Sequence, residues 1–425
     1  PWVTFRHQST SADPAQGALA FVCAGPPVQS GDETQTKKKS KFNRTALHVF
    51  NMQPFFQQFG RVRSIGIPFH GRLLNSVAWI RPTDEGMDPA LVTCSEDGLM
   101  RVVHYSCESS VLRSSSPMTD ALRCHNGAVK TAVYVDARRL LFSVGSRGQF
   151  CLVELQTGGI HRPRTSHLCP VLRDEMWLHP TDQKDGTELN QRCLCMAVLH
   201  SRSDYTTILA GDSAGSLFRF QLSKATTINL VTKFTHFHKA PILSIECLRT
   251  KDARSLCVTG CSNGKVFIYD FSTPKVAHKL WAGRPHSMGV NGLAFHELSD
   301  NNFVMVTGGD DQLLCVSYFS VTNRKWKLQH QWKLTMLTAA AISTVALAFP
   351  YIVTAGAENR IQVVRIPSPL SDGDDNQAWT APIYEAMTQI YDIQHVSVLR
   401  TSDGSLHIAV AGQGLETLRL TPNAT

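Results

Sequence analysis

No glycine-rich loop in this 425-residue chain opens a helical pattern, and no Cys-x-x-Cys pair is matched by a second such pair or by His-x-x-x-His. The pieces richest in glycine, GGDDQ (308–312) and AGQG (411–414), lie where hairpins turn, which excludes a dinucleotide-binding fingerprint. Asp310 and Asp311 are neighbours on one such turn, where carboxylates serve local hydrogen bonding. With no nucleophile–base set and no paired-carboxylate cleft either, the chain is expected to be a non-enzyme that holds neither cofactor nor metal. Charged residues are scarce at 18% against 43% hydrophobic, a balance that excludes disorder and can fill a large core. The twelve cysteines are scattered and are expected to be reduced, mostly buried thiols. Cys193 and Cys195 alternate on one strand-like run and are expected to share a face. Two Asn-x-Thr sequons, at Asn43 and Asn423, are a weak signal for secretion, and the cytosol is the expected compartment. A chain that starts at Pro1 is expected to be a fragment or a processed form.

The 24 residues from Leu334 to Ala357 lack any charge and alone have the length of a membrane span. Tyr351 to Thr354 and Ile361 to Val364 fall in register with strands elsewhere, and Pro350 separates two runs. The segment therefore reads as two buried strands.

What is present is a repeat. An apolar run ending in small residues, a tight turn with Gly or Asn, and a second apolar run recur seven times, as in LVTCSEDGLMRVVHY (91–105) and SLCVTGCSNGKVFIYDF (255–271). The turn positions Gly98, Gly148, Gly215, Gly264, Gln312, Asn359 and Gly414 step by 50, 67, 49, 48, 47 and 55 residues. Such turns need a positive φ, which Gly and Asn tolerate, so Gln312 is expected to mark a distorted turn. A lone hairpin is unstable, and a periodic series of them must bury its faces around a ring. The fold expected is an all-β propeller of four-stranded blades, seven in number, with eight as the alternative. ALAFVCAG (18–25) and TALHVF (45–50) form a further hairpin around a polar loop. It either completes the last blade or belongs to a preceding propeller. The domains read as 1–60, an amino-terminal hairpin with a basic loop, and 61–425, the propeller.

Charge is localised. Lys37, Lys38, Lys39, Lys41, Arg44, Arg61, Arg63 and Arg72 fall in a stretch, 37–80, without Asp or Glu, and they account for the whole net charge of +8. Such a patch attracts phosphate backbones. A second cluster, NRKWKLQHQWK (323–333), interleaves Arg324, Lys325, Lys327 and Lys333 with Trp326 and Trp332, a mix suited to stacking on exposed bases. The plainer alternatives are a solvated lysine loop and an outer strand with buried tryptophans.

Four histidines, His70, His125, His238 and His286, precede their turns by 23 to 28 residues. This spacing resembles the WD-repeat family, whose blades begin with Gly-His and whose third strand ends in Trp-Asp. The match is degenerate: no tryptophan here is followed by Asp, and only Tyr269-Asp270 stands near that place. The histidines are expected to hydrogen-bond within their blades. Four stretches are similar to the WD repeat-containing protein 6 family: HGRLLNSVAWI (70–80), HSMGVNGLAFHELSDNNFVMVTGGDDQLLCVSYF (286–319), YIVTAGAENRIQVV (351–364) and AGQGLETLRL (411–420). That resemblance implies that residues 60–420 correspond to the carboxy-terminal propeller of a larger protein. It also implies a non-catalytic scaffold that assists an FtsJ-like methyltransferase in 2′-O-methylating the wobble nucleotide of tRNA. The partner enzyme would bind the S-adenosylmethionine. A protein-only scaffold, such as a ubiquitin-ligase substrate receptor or a signalling adaptor, is the alternative, although no blade ends in the Trp-Asp-x-Arg that would support the ligase reading.

Overall fold

Each of the seven hairpins supplies the two middle strands of an antiparallel sheet in the computed structural model of the chain. The structure describes residues 70–422, except 82–87, 108–109, 114–120, 147, 159–166, 179–191, 203, 225, 236, 274, 335–339, 357 and 367–381, together with the backbone of Ala20–Phe21, His48–Val49 and Phe59–Ile65. In blade 4, for example, Ile242–Arg249, Ser255–Cys261, Val266–Asp270 and His278–Gly283 pair in that order from the axis outward. The innermost strands stand side by side about the axis, Ile242–Arg249 lying between Cys193–Ser201 of blade 3 and Val290–Ser299 of blade 5. The series runs through seven blades and closes, and Asp136–Arg138 is the single short 3-10 turn among the described residues. Blade 1 carries a fifth strand, Ala121–Arg123, paired with Leu99–Ser106.

Burial follows strand position. The second strand of a blade is covered on both faces, so Ser255–Cys261 is buried at every residue. This is why it reads as a continuous apolar run and not as an alternation. Alternate side chains feed opposite blade interfaces: Phe142, Phe150 and Leu152 of blade 2 pack against blade 3, whereas Leu141, Cys151 and Val153 pack against blade 1. One apolar cluster fills each of the seven seams, so every blade is held by two neighbours.

The first strand of the ring completes its last blade. Phe59–Ile65 pairs with Gly414–Pro422, in the register Arg61 to Leu420 and Arg63 to Leu418. The pair Ala20–Phe21 and His48–Val49 forms a separate two-stranded sheet within 1–57, one of two compact units. The strand that completes blade 7 is therefore neither member of that hairpin. The seam between blades 7 and 1 is also pinned by hydrogen bonds. Trp79 Nε1 donates to Ser397 O at 3.2 Å, Arg419 donates to Cys107 O at 3.0 Å, and Tyr105 Oη meets His407 Nδ1 at 3.0 Å.

The charge-free run holds two strands, Ile342–Ala348 and Tyr351–Gly356, on either side of Phe349–Pro350. Among the described residues no helix is long and apolar enough to cross a membrane. Two local expectations are corrected. Gln312 adopts φ 66°, the left-handed conformation that Gly264 (79°) and Asn359 (60°) take, so its turn is regular; Gly414, at φ 140°, is the one that departs. Cys193 and Cys195 do not share a seam, because the register shifts between them. A bulge adds a residue and turns the remainder of the strand over, so Cys193 packs toward blade 2 and Cys195 toward blade 4.

Candidate nucleic-acid interface

Antiparallel blades put two sets of loops on opposite rims. The hairpin turns and the connections between blades share one rim, as the bonds from His238 N to Gly215 O and from Ser262 N to Pro241 O show. The loops after the first and third strands form the other.

The four spaced histidines sit on the turn rim and bond inside their blades. In blade 1, His70 Nδ1 meets Asp97 at 3.1 Å and Nε2 meets Thr93 Oγ1 at 2.9 Å. Blade 5 repeats this with Asp311 and Thr307, both 2.8 Å from His286. The carboxylates accept from Nδ1–H, and the neutral ring then accepts from the threonine hydroxyl. Burial lowers the His70 pKa more than Asp97 restores it. Burial also opposes ionisation of Asp97, yet the N–H of Leu99 and the His70 ring bring its carboxyl below the ordinary value. In blades 2 and 4 only the hydroxyl half remains: His125 Nε2 to Ser143 Oγ at 2.8 Å, and His238 Nε2 to Thr259 Oγ1 at 3.0 Å. These rings brace turns against the second strand.

On the opposite rim, arginines lace adjacent blades together. Arg138 of blade 2 donates to Leu222 O (3.1 Å) and Ser223 O (2.6 Å) of blade 3. Arg219 of blade 3 reaches Phe271 O and Thr273 O beyond blade 4's third strand, and Arg400 of blade 7 caps Phe349 O of blade 6 at 2.6 Å. Each of these guanidinium groups donates to a backbone carbonyl of the neighbouring blade and so stiffens the rim.

The residues expected to meet RNA are not gathered into one patch. Lys37, Lys38, Lys39, Lys41 and Arg44 lie outside the described residues. Arg61 and Arg63 belong to the outermost strand of blade 7, and Arg72 is exposed on the turn rim beside His70. Arg324 stands in the left-handed region (φ 62°) at the opposite rim, where the outermost strand of blade 5, Lys325–Leu334, begins. Along that strand exposure alternates. Lys325, Lys327 and Lys333 face solvent, while Trp326 and Trp332 are half-buried. Trp326 lies 4.7 Å from the Phe303 ring and Trp332 meets Tyr318 edge-on at 5.1 Å. The tryptophans thus pack into blade seams, Trp326 toward blade 4 and Trp332 toward blade 6, because the register shifts between them, and the same shift puts Lys325 and Lys327 on one face of the strand and Lys333 on the other.

One further constellation escaped the sequence. Cys124, His125 and Cys151 are all buried, and among the described residues they alone bring three metal-capable donor atoms within 4.8 Å of one another. No spacing motif announces it, because Cys151 comes from a different strand. The available signal was a Cys-His dipeptide and, far along the chain, a cysteine just past the matching turn, Gly148.

The ring and its histidine braces are those of a seven-bladed propeller consistent with a WD-repeat protein. Comparison with models of known protein families and with curated proteins finds no match.

Proposed function

We propose that this chain is a non-catalytic cytoplasmic scaffold of the WD repeat-containing protein 6 kind, which binds tRNA and an FtsJ-like 2′-O-ribose methyltransferase. The observation that carries the reading is the outer strand of blade 5. Lys325 and Lys327 stand outward on one face of this strand and Lys333 on the other, while Trp326 and Trp332 pack into the two flanking seams, so positive charge is displayed at fixed positions. Phosphate contacts of this kind position RNA without reading its sequence. The turn rim, where Met288, Met387 and Tyr391 are exposed, offers apolar contact for the enzyme. In this division of labour the enzyme supplies S-adenosylmethionine chemistry and the propeller supplies placement.

Lysines on an outermost strand have a second use, since they keep an unpaired edge from joining another chain. Salt dependence separates the two roles. Lys325, Lys327 and Lys333 changed to glutamate, and Lys37, Lys38, Lys39 and Lys41 changed likewise in a second variant, are titrated against tRNA by filter binding at several salt concentrations. For every lysine–phosphate pair removed, the plot of log affinity against log salt should flatten by about 0.7 to 0.9. Unchanged affinity and slope in both variants would overturn the RNA reading and leave a protein-only scaffold.

A further inference from the structure

Blade 2 departs from the histidine brace at the position that matters most for chemistry. In blades 1 and 5 the Nδ1 of the brace histidine is met by a carboxylate one residue before the turn position, Asp97 or Asp311. In blade 2 the corresponding residue is Arg147, and Nδ1 of His125 faces the thiol of Cys151 at 3.8 Å instead. The second thiol, Cys124, is the residue next to the histidine.

Ser143 Oγ lies 2.8 Å from His125 Nε2 and 3.5 Å from Cys151 O. With the hydroxyl donating to that carbonyl, the ring donates its Nε2–H to Ser143 and turns the Nδ1 lone pair toward the sulfurs, which is the tautomer a metal ion requires. A hydrogen bond fixing the far nitrogen is how metal-bound histidines are oriented. Gly145 provides the clearance, since a Cβ there would stand 2.7 Å from His125 Nδ1. The site is dry: Cys124 is 6% exposed, His125 1% and Cys151 0%. Gln149 holds the Cys124 carbonyl through Nε2 at 3.0 Å, and the Cys151 thiol approaches the same oxygen at 3.1 Å.

We infer that Cys124 Sγ, Cys151 Sγ and His125 Nδ1 form a binding site for one thiophilic d10 metal ion, zinc(II) or copper(I). Two sulfurs and one imidazole are soft and borderline donors that select such ions over hard oxygen-seeking ones. As the two S–metal bonds form, any remaining thiol protons leave to solvent. Two thiolates neutralise zinc(II), the favourable outcome for a charge buried this deeply. Zinc would complete its tetrahedron with an oxygen, for which the Cys124 carbonyl is at hand; copper(I) is satisfied by the three ligands alone. The ion would bind the connection from blade 1 to the third strand of blade 2 and so clamp that seam.

Blade 5 contains its own control. Cys315 occupies the same place after its turn as Cys151, but Asp311 takes the histidine Nδ1. The full chain, reduced and kept anaerobic, is offered zinc(II) or copper(I) alone, passed over a chelating resin, and its metal content counted. About one equivalent of one of the two ions should be retained, and which one decides between them. Cys124→Ser, Cys151→Ser and His125→Gln should lose it, Cys315→Ser should keep it, and Ser143→Ala should weaken it by roughly 10- to 100-fold. Cobalt(II) added to the unaltered chain should give thiolate-to-metal charge-transfer absorption, a readout independent of whether the variants fold. No retained ion, equal retention by Cys151→Ser, absence of the cobalt band, or a Cys124–Cys151 disulfide in a chain that takes up no ion when reduced would each overturn the site.

Discussion

Four histidines, His200, His238, His395 and His407, are expected to weaken this protein in acid, because burial above all lowers the pKa of each to about 4. For His407, Arg419 reinforces the effect. In the unfolded chain each titrates near 6.5. The neutral forms are therefore favoured by folding, and their contribution is fully present above pH 6.5 and lost as pH falls toward 4, where the unfolded chain takes up protons that the folded one refuses. Each ring can cost up to about 1.4 kcal/mol per pH unit across that window. Urea unfolding at pH 7.5 and 5.5 should show the loss, and His238→Gln should remove part of the pH slope while lowering stability at neutral pH. An identical slope in that variant would assign the acid sensitivity elsewhere. Asp97 and Asp311, whose carboxyls lie below their ordinary range, act only at lower pH.

Turns are the elements on which the repeat was legible, and they are not equivalent. Gly264 and Gly148 both have positive φ, 79° and 73°. A Cβ on Gly264 would collide with His286 O and stand 2.7 Å from its carbonyl carbon, backbone that cannot step aside. On Gly148 the nearest atom is Leu178 Cβ at 3.6 Å, an ordinary contact. Gly148→Ala should cost no more than about 1–2 kcal/mol, the strain of the left-handed region. Gly264→Ala should cost about 1–3 kcal/mol beyond that, as overpacking does; thermal denaturation of the pair is the measurement, and equal losses would mean that the turn relaxes. The spacing of these positions identified all seven middle hairpins, because two strands buried on both faces need long apolar runs and a tight turn needs Gly or Asn. The outer elements were less legible. Trp326 and Trp332 had the composition of a base-stacking surface, and only the shifted pairing of Lys325–Leu334 with Leu314–Thr322 reveals that they pack into the two opposite seams of blade 5. Cys124 and Cys151 meet through the return of a strand, which no local pattern encodes.

For the whole molecule, closure is the decisive property. Seven seams of buried apolar residues close the ring, and Phe59–Ile65 ties its two ends together by pairing with Gly414–Pro422. Removing 1–65 should lower the melting temperature and expose the edge of Gly414–Pro422 to intermolecular pairing, whereas removing 1–57, a separate unit, should leave the ring intact. Differential scanning fluorimetry with size-exclusion chromatography compares them, and matching profiles would show that the closing strand is dispensable. The same closure governs birth as well as stability. Phe59 and its partner Pro422 lie more than 350 positions apart, so at ribosomal rates of roughly 5–20 residues per second the strand waits about 20–70 s for its mate. During that interval it is a bare β-edge beside a growing stack of blades, and crowded polysomes offer it the same strand from neighbouring nascent chains. The latch that finishes the ring is thus also where co-translational chaperones would be needed.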